Sequence, residues 1–382
     1  MMLSIKNNYI LLFTLMGLIT TAQGQSLLTE SNEDSQSKTR ISGVIMLDYA
    51  LQNGINRGSD ENNTEFNSEI RKARIDIKHK LKKNWSAKLQ IGFDKEQSSS
   101  EIGDAYIRYK QGKKVAITLG RFKEPFGLEN TTSSKHITFL ERAMVANALS
   151  PGRNIGWMAA AAPSDFTWAF SLMDIESQEE GSAPFALSTR LTWAPINHEL
   201  QTLHVGLSAS LREMDGEAFE IKERSENHTA DKIIESGEIA VDQMQLLAVE
   251  FAFLDGAMSY QGEYMSTDIQ AVDASEDAVF DGFYMQAAYF LSRDTHQYKN
   301  GALDGVEPSS SEGAWELACR YSELSTREST EGSKLQTSTL GLNYYYDQNV
   351  RLTTNVVYSL TSEAINGSDD GLGVAFRAQY RF

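Results

Sequence analysis

One cysteine, Cys319, is all the chain carries, so no disulfide can form within it and no lipidated cysteine can follow a leader. Prolines are scarce as well, six in 382 residues, while 15 tyrosines and 17 phenylalanines are present; this balance suits a sheet with aromatic rims rather than a helical protein. Beyond the first two dozen residues no apolar run approaches the roughly 20 residues that a spanning helix needs. Enzyme signatures are missing too: there is no Gly-rich phosphate loop ahead of a helix, no HExxH and no GxSxG. The six histidines are dispersed, so no metal or other cofactor is expected, and a formal net charge of -17 gives no footing for nucleic acid. His204 and Ser208 share a strand face but lie about 13 Å apart at roughly 3.3 Å per residue, too far for a hydrolytic pair.

What is present begins with a leader. Lys6 precedes an apolar stretch from Tyr9 to Ile19, and small residues follow up to Gly24, so residues 1–24 read as a secretory signal peptide cut after Gly24, with Ala22 as second choice. Residues 25–40 are polar and expected to form a flexible lead-in, leaving 41–382 for the exported domain. The segment GLGVAFRAQYRF sets Leu372, Val374, Phe376, Ala378, Tyr380 and Phe382 against a face that carries Arg377 and Arg381, which is how a strand with lipid on one side and water on the other reads.

Sixteen such windows follow one another from 41–51 to 371–382, which predicts an all-β, transmembrane antiparallel barrel of about 16 strands in the outer membrane of a Gram-negative cell. Connections alternate in length. Lys82-Lys83, Gln111 to Lys113, Pro163-Ser164, Asp255-Gly256 and Asp347-Gln348 are short and periplasmic by this parity; 52–67, 123–154, 213–240 and 325–334 are long and outer. Residues 292–312 break the rule, either as an insertion in a periplasmic turn or as a misdrawn strand.

Alternation assigns faces. In the third window Trp85, Ala87, Leu89, Ile91 and Phe93 look to lipid, while Ser86, Lys88, Gln90, Gly92 and Asp94 look inward. The inward set elsewhere holds Lys72, Arg74, Lys78 and Lys80, then Tyr106, Arg108 and Lys110, then Arg190 and Arg320. A charged side chain aimed at the bilayer midplane costs about 2–4 kcal/mol, so cations recurring in one phase indicate a wet interior, and sixteen strands leave room for it. Between Arg71 and Arg153 there are 18 Lys and Arg against 8 Asp and Glu, a balance of +10 in an acidic protein. A basic lumen wall that concentrates anions accounts for this, with Asp94 and Asp104 tempering it; the acidic stretch from Glu213 to Glu238 is expected outside.

The segment GRFKEPFGLENTTSSKHITFLERAMVANALSPGRNIG, Gly120 to Gly156, resembles the signature region of the phosphate-selective porins O and P. EIRKARIDIKHKLKKNWSAKLQIGFD and DAYIRYK upstream, and GAWELACRYSEL, LGLNYYYDQNVRLTTNVVYS and RAQYRF downstream, resemble the same family. The resemblance implies a homotrimeric channel of the outer-membrane lipid and lipopolysaccharide layer, passing inorganic phosphate or polyphosphate, with a third outer loop folded back into the lumen. By parity that loop is Lys123 to Asn154, so Lys135 and Arg142 rank first at the constriction, followed by Arg153 and Lys123, with Lys72, Arg74, Lys88 and Arg108 along the wall. One departure is that no apolar heptads follow the leader, so no helical trimerisation segment is read there. The alternatives are a general-diffusion porin, a surface barrel whose acidic outer loops bind a partner or bridge lipopolysaccharide through divalent cations, and an Arg142 that merely ties down its own loop.

Overall fold

The computed structural model describes residues 37–54, 64–81, 84–93, 100–112, 115–177, 182–326, 333–362 and 370–382. The expected leader, most of the lead-in, Lys82-Lys83, Lys113 and Asp94 lie outside these.

Sixteen long strands make one wall: β1 Lys38–Gln52, β2 Glu65–Lys80, β3 Trp85–Phe93, β4 Ser100–Gln111, β5 Val115–Lys123, β6 Arg153–Ala161, β7 Phe166–Asp174, β8 Phe185–Asn197, β9 Gln201–Glu213, β10 Ile239–Asp255, β11 Met258–Ala271, β12 Ala278–Phe290, β13 Ala314–Ser325, β14 Lys334–Tyr345, β15 Val350–Thr361 and β16 Asp370–Arg381. Each pairs antiparallel with its neighbours in sequence, and β1 pairs with β16 from Val44↔Arg381 to Gln52↔Gly373, which closes the ring. Closure leaves no unpaired edge for lipid to solvate, the condition a sheet must meet to cross a bilayer. Every expected window overlaps one of these strands, although β1 starts at Lys38, inside the expected lead-in.

The period of two is visible in burial, as in β15, where Arg351, Thr353, Asn355, Val357 and Ser359 are buried and Leu352, Val356, Tyr358 and Leu360 are exposed to the lipid side. Aromatics gather at the two ends of this outer face. Trp85 lies against Tyr109, Trp315 against Tyr344 and Tyr380 against Phe382 near the short turns; Tyr49 meets Phe66 and Phe283 meets Tyr321 toward the long loops. These are the two interfacial girdles of a membrane barrel.

Three segments fold into the lumen: the third outer loop L3 (residues 124–152), the fifth outer loop L5 (residues 214–238) and residues 291–313 on the periplasmic side. The last is an insertion, with a small ladder of Tyr298–Lys299 on Ala302–Leu303, and no strand was misdrawn. L5 corrects an expectation: although acidic, it carries Ile221, Ile233 and Ile234, all buried inside the barrel rather than outside it. L3 holds two short helices, α1 Leu128–Thr131 and α2 Met144–Leu149. Met144, Val145 and Leu149 of α2 join those isoleucines and the inward faces of β10–β14, among them Met244, Leu246, Met265, Phe280, Leu324 and Leu335, in one apolar cluster. The hydrophobic effect thus fixes both loops against one side of the wall from within.

Candidate functional site

L3 is held at its root by a carboxylate. Gly127 adopts φ 68, a conformation that favours glycine, and turns the backbone so that Leu128 N and Glu129 N donate to Glu263 Oε1 and Oε2 at 2.5 and 2.8 Å, with Gly127 N donating to Ser208 Oγ at 3.1 Å. At mid-loop Glu141 accepts from Arg71 Nε at 2.9 Å and Arg377 Nη2 at 2.7 Å, and Arg377 also grips Asp48 through two 2.7 Å bonds. Burial would raise the Glu141 carboxyl, but the two guanidinium groups hold it well below the usual range.

Arg71 reaches the lumen because β2 bulges. Met46 pairs with Lys72 and Leu47 with Ile70, so Arg71 is an extra residue and two adjacent cations face inward. Strict alternation misses Arg71 for that reason. Together with Arg142, Glu141 and Ser134 of L3, and Glu223, Arg224 and Lys232 of L5, they line a cavity of about 220 Å³ between the two loops and the β1–β2 and β16 wall.

The expected cations do not form one cluster. Arg142 and Lys72 border this cavity, and the charges of Arg142, Arg153 and Lys72 act on Lys123, whose Nζ donates to Asn130 O at 3.0 Å. Arg142 itself donates to Glu129 O and Thr132 O, both at 2.8 Å, so it ties its own loop as well as lining the space. Arg153 opens β6 and donates to Asp104 at 2.7 Å; Lys88 bridges Asp104 at 2.5 Å and Asp76 at 3.1 Å, and Arg74 stands 3.7 Å from Asp76. Arg108 donates to Thr118 at 3.0 Å and covers the Tyr106 ring.

Lys135 is separate. It lines a smaller pocket toward the periplasm with His136, Arg351, Gln379 and Arg381. Burial, then Arg381 and Lys135, push His136 down to about 3, so it is neutral; its Nδ1 lies 3.1 Å from Arg381 Nη1 and its Nε2 3.4 Å from Asp304 of the insertion.

Arg190 and Arg320 face inward as alternation requires, but they are buried in ion pairs rather than facing water. Arg190 donates twice to Glu250 at 2.8 Å and to Gly301 O at 2.7 Å, which pins the insertion; Arg320 donates to Glu226 of L5 at 2.6 Å and lies 3.3 Å from Glu129 of L3. The signal for this lay in β10, whose LLAVEFAFL run sets a single charge, Glu250, among otherwise apolar inward residues, so that the charge requires a partner on the lumen side.

Among known proteins, Porin O of Pseudomonas aeruginosa is 27% identical over 402 residues, covering 93% of this chain and 91% of that protein. An anion-selective porin from Comamonas acidovorans matches the fold with a TM-score of 0.62 at 11% identity, covering 91% of this chain and 100% of that one. The in-vitro folded OmpT of Vibrio cholerae, in its trimer form, matches with a TM-score of 0.58 at 9% identity, over 91% of this chain and 99% of that one. The profile described as phosphate-selective porin O and P matches residues 40–382, nearly the whole described wall, and on that match the chain belongs to the phosphate-selective porin O and P family.

Proposed function

We propose that this protein is a passive channel of the Gram-negative outer membrane for small anions, with inorganic phosphate or polyphosphate foremost, and that they travel along the cationic side of its lumen. Family membership and the anion-selective neighbour support the ion class. The observation that carries the route is Lys72: its ammonium faces the cavity between L3 and L5 and has no ion-pair or hydrogen-bond partner among the described residues. An unpaired ammonium and the Arg142 guanidinium together can exchange a phosphate's water shell for charge-assisted contacts.

In this reading Lys123 and Arg142 form the constriction, Arg153, Arg74 and Lys88 continue the path down the β2–β6 wall, and Lys135 and Arg108 receive the ion lower down. Asp76 and Asp104 weaken the field along the way, which suits conduction because a site must release as well as bind. Homotrimeric assembly belongs to the proposal and is supported by the trimer form of the OmpT neighbour. Lipopolysaccharide is the outer-leaflet lipid that the upper aromatic girdle would meet.

The test is the reversal potential of the purified protein in a planar bilayer under a salt gradient. Anion preference, with conductance steps that shrink on adding phosphate, is the expected result. Equal passage of cations would reduce the protein to a general-diffusion porin, and silence over many insertions would favour a surface barrel with a closed lumen.

A further inference from the structure

Within the cavity between L3 and L5 one acid differs from the others. Glu141 is taken by Arg71 and Arg377, and Glu226 by Arg320. Glu223 sits on a two-residue ladder in which Lys222 pairs with Glu235 and Glu223 with Ile234. Both line the cavity, but the ammonium of Lys222 is taken by Glu220 at 2.8 Å. One oxygen of Glu223 accepts from Arg224 N at 3.0 Å; the other has no partner among the described residues, despite the cations around it. An oxygen acceptor left open in a space whose other acids are already paired lacks a donor that arrives with the ligand.

We infer that Glu223 is a specificity-determining acceptor that favours oxyanions still carrying a proton, such as hydrogen phosphate, over oxyanions carrying none, such as sulfate. The inference rests on the anion-channel reading above. Both anions draw on the same cations, but only the first brings an O–H that the open Glu223 oxygen can accept. The second meets bare like-charge repulsion at that point.

The groups facing Glu223 set its titration. Lys222, Arg224, Glu226, His228 and Lys232 come from its own loop, with His228 held 2.7 Å from Glu69. Arg71 and Lys72 face it from β2, Glu141 and Arg142 from L3, and Arg377 from β16. Burial lifts Glu223 to about 7, while Arg224 and Lys232 pull it back. The carboxylate is therefore ionised, and able to accept, mainly above neutrality. Below it the protonated acid can donate to sulfate, and discrimination fades.

The experiment measures the phosphate-to-sulfate permeability ratio from bi-ionic reversal potentials at pH 6 and pH 8, for wild type, Glu223→Ala, Glu223→Gln and Glu223→Asp. The ratio should fall about tenfold at pH 8 in Glu223→Ala, the size of one hydrogen bond to a charged group. It should fall further in Glu223→Gln, whose amide can donate to sulfate, and be largely kept in Glu223→Asp. The gap between wild type and Glu223→Gln should widen from pH 6 to pH 8. Heat-resistant migration on gels confirms that each barrel is folded. An anion-selective wild type whose ratio ignores all three substitutions overturns the role of Glu223 alone, whereas a wild type that passes potassium as readily as chloride overturns the channel reading beneath it.

Discussion

The two sides of the lumen are built on opposite principles. Along β2–β4 cations recur at inward positions, Arg71, Lys72, Arg74, Lys88 and Arg108, with Asp76 and Asp104 between them, and the loops leave space beside Arg71 and Lys72. Along β10–β14 apolar residues such as Met244, Met265, Phe280 and Leu324 recur at inward positions, the charged ones between them are paired, and the space is filled by α2 and the isoleucines of L5. The wall is continuous between them, so the difference lies in the side chains. On the proposed route, a barrel wide enough for bulk water becomes selective by drying one side, so that what passes runs next to the charges on the other.

The largest way to break this comparison is to wet the dry side. Val145→Asp puts a charge at a fully buried position against Gly282. With no partner it costs about 3 kcal/mol or more, and L3 should come away from β11–β13; the measured single-channel conductance should rise severalfold while anion preference drops. Next in size is charge reversal on the wet side: Lys72→Glu should lower the anion-to-cation permeability ratio about tenfold or more, since a charge a few ångströms from the path acts through at least ~1.4 kcal/mol. An unchanged reversal potential would clear Lys72.

Acid should act more weakly, through the contact of L3 with the periplasmic insertion. His136 is held at about 3, below its unfolded value near 6.5, so the folded state binds fewer protons and the contact is stable above that value. The contact loses stability as pH falls below about 6.5, and open-channel noise should grow on acidification toward pH 3 in wild type but not in His136→Gln. The smallest effect sharpens the inside-outside boundary: Cys319→Ser changes an exposed side chain on the lipid face of β13 and should shift thermal stability by no more than about 0.5 kcal/mol, with conductance unaltered.

Much of the wall was legible because a strand in lipid obeys one rule at every step, and the sixteen windows follow from it. Faces were legible for the same reason: Lys72, Arg74, Lys88 and Arg108 point inward as alternation requires. The filling of the lumen was less legible, since three inward segments are fixed by contacts distant in sequence, such as Arg320 with Glu226 and Arg190 with Gly301. L5 was placed outside on its acidity, yet its three isoleucines outweigh a net charge that Arg320 and other partners neutralise. Membership of the third outer loop puts Lys135 and Arg142 together at the constriction in the sequence, but the loop turns between them and each lines a different pocket.

The extra residue at Arg71 has a hereditary meaning. Losing a single codon from most wall strands would turn every residue beyond the gap inside out. Here Ile70 already faces outward and Lys72 inward, so a deletion of Arg71 would restore an unbroken ladder and leave each neighbour facing as it does now. Evolution can therefore raise or lower the pore's charge at this point by changing the length of the strand, without gambling the wall.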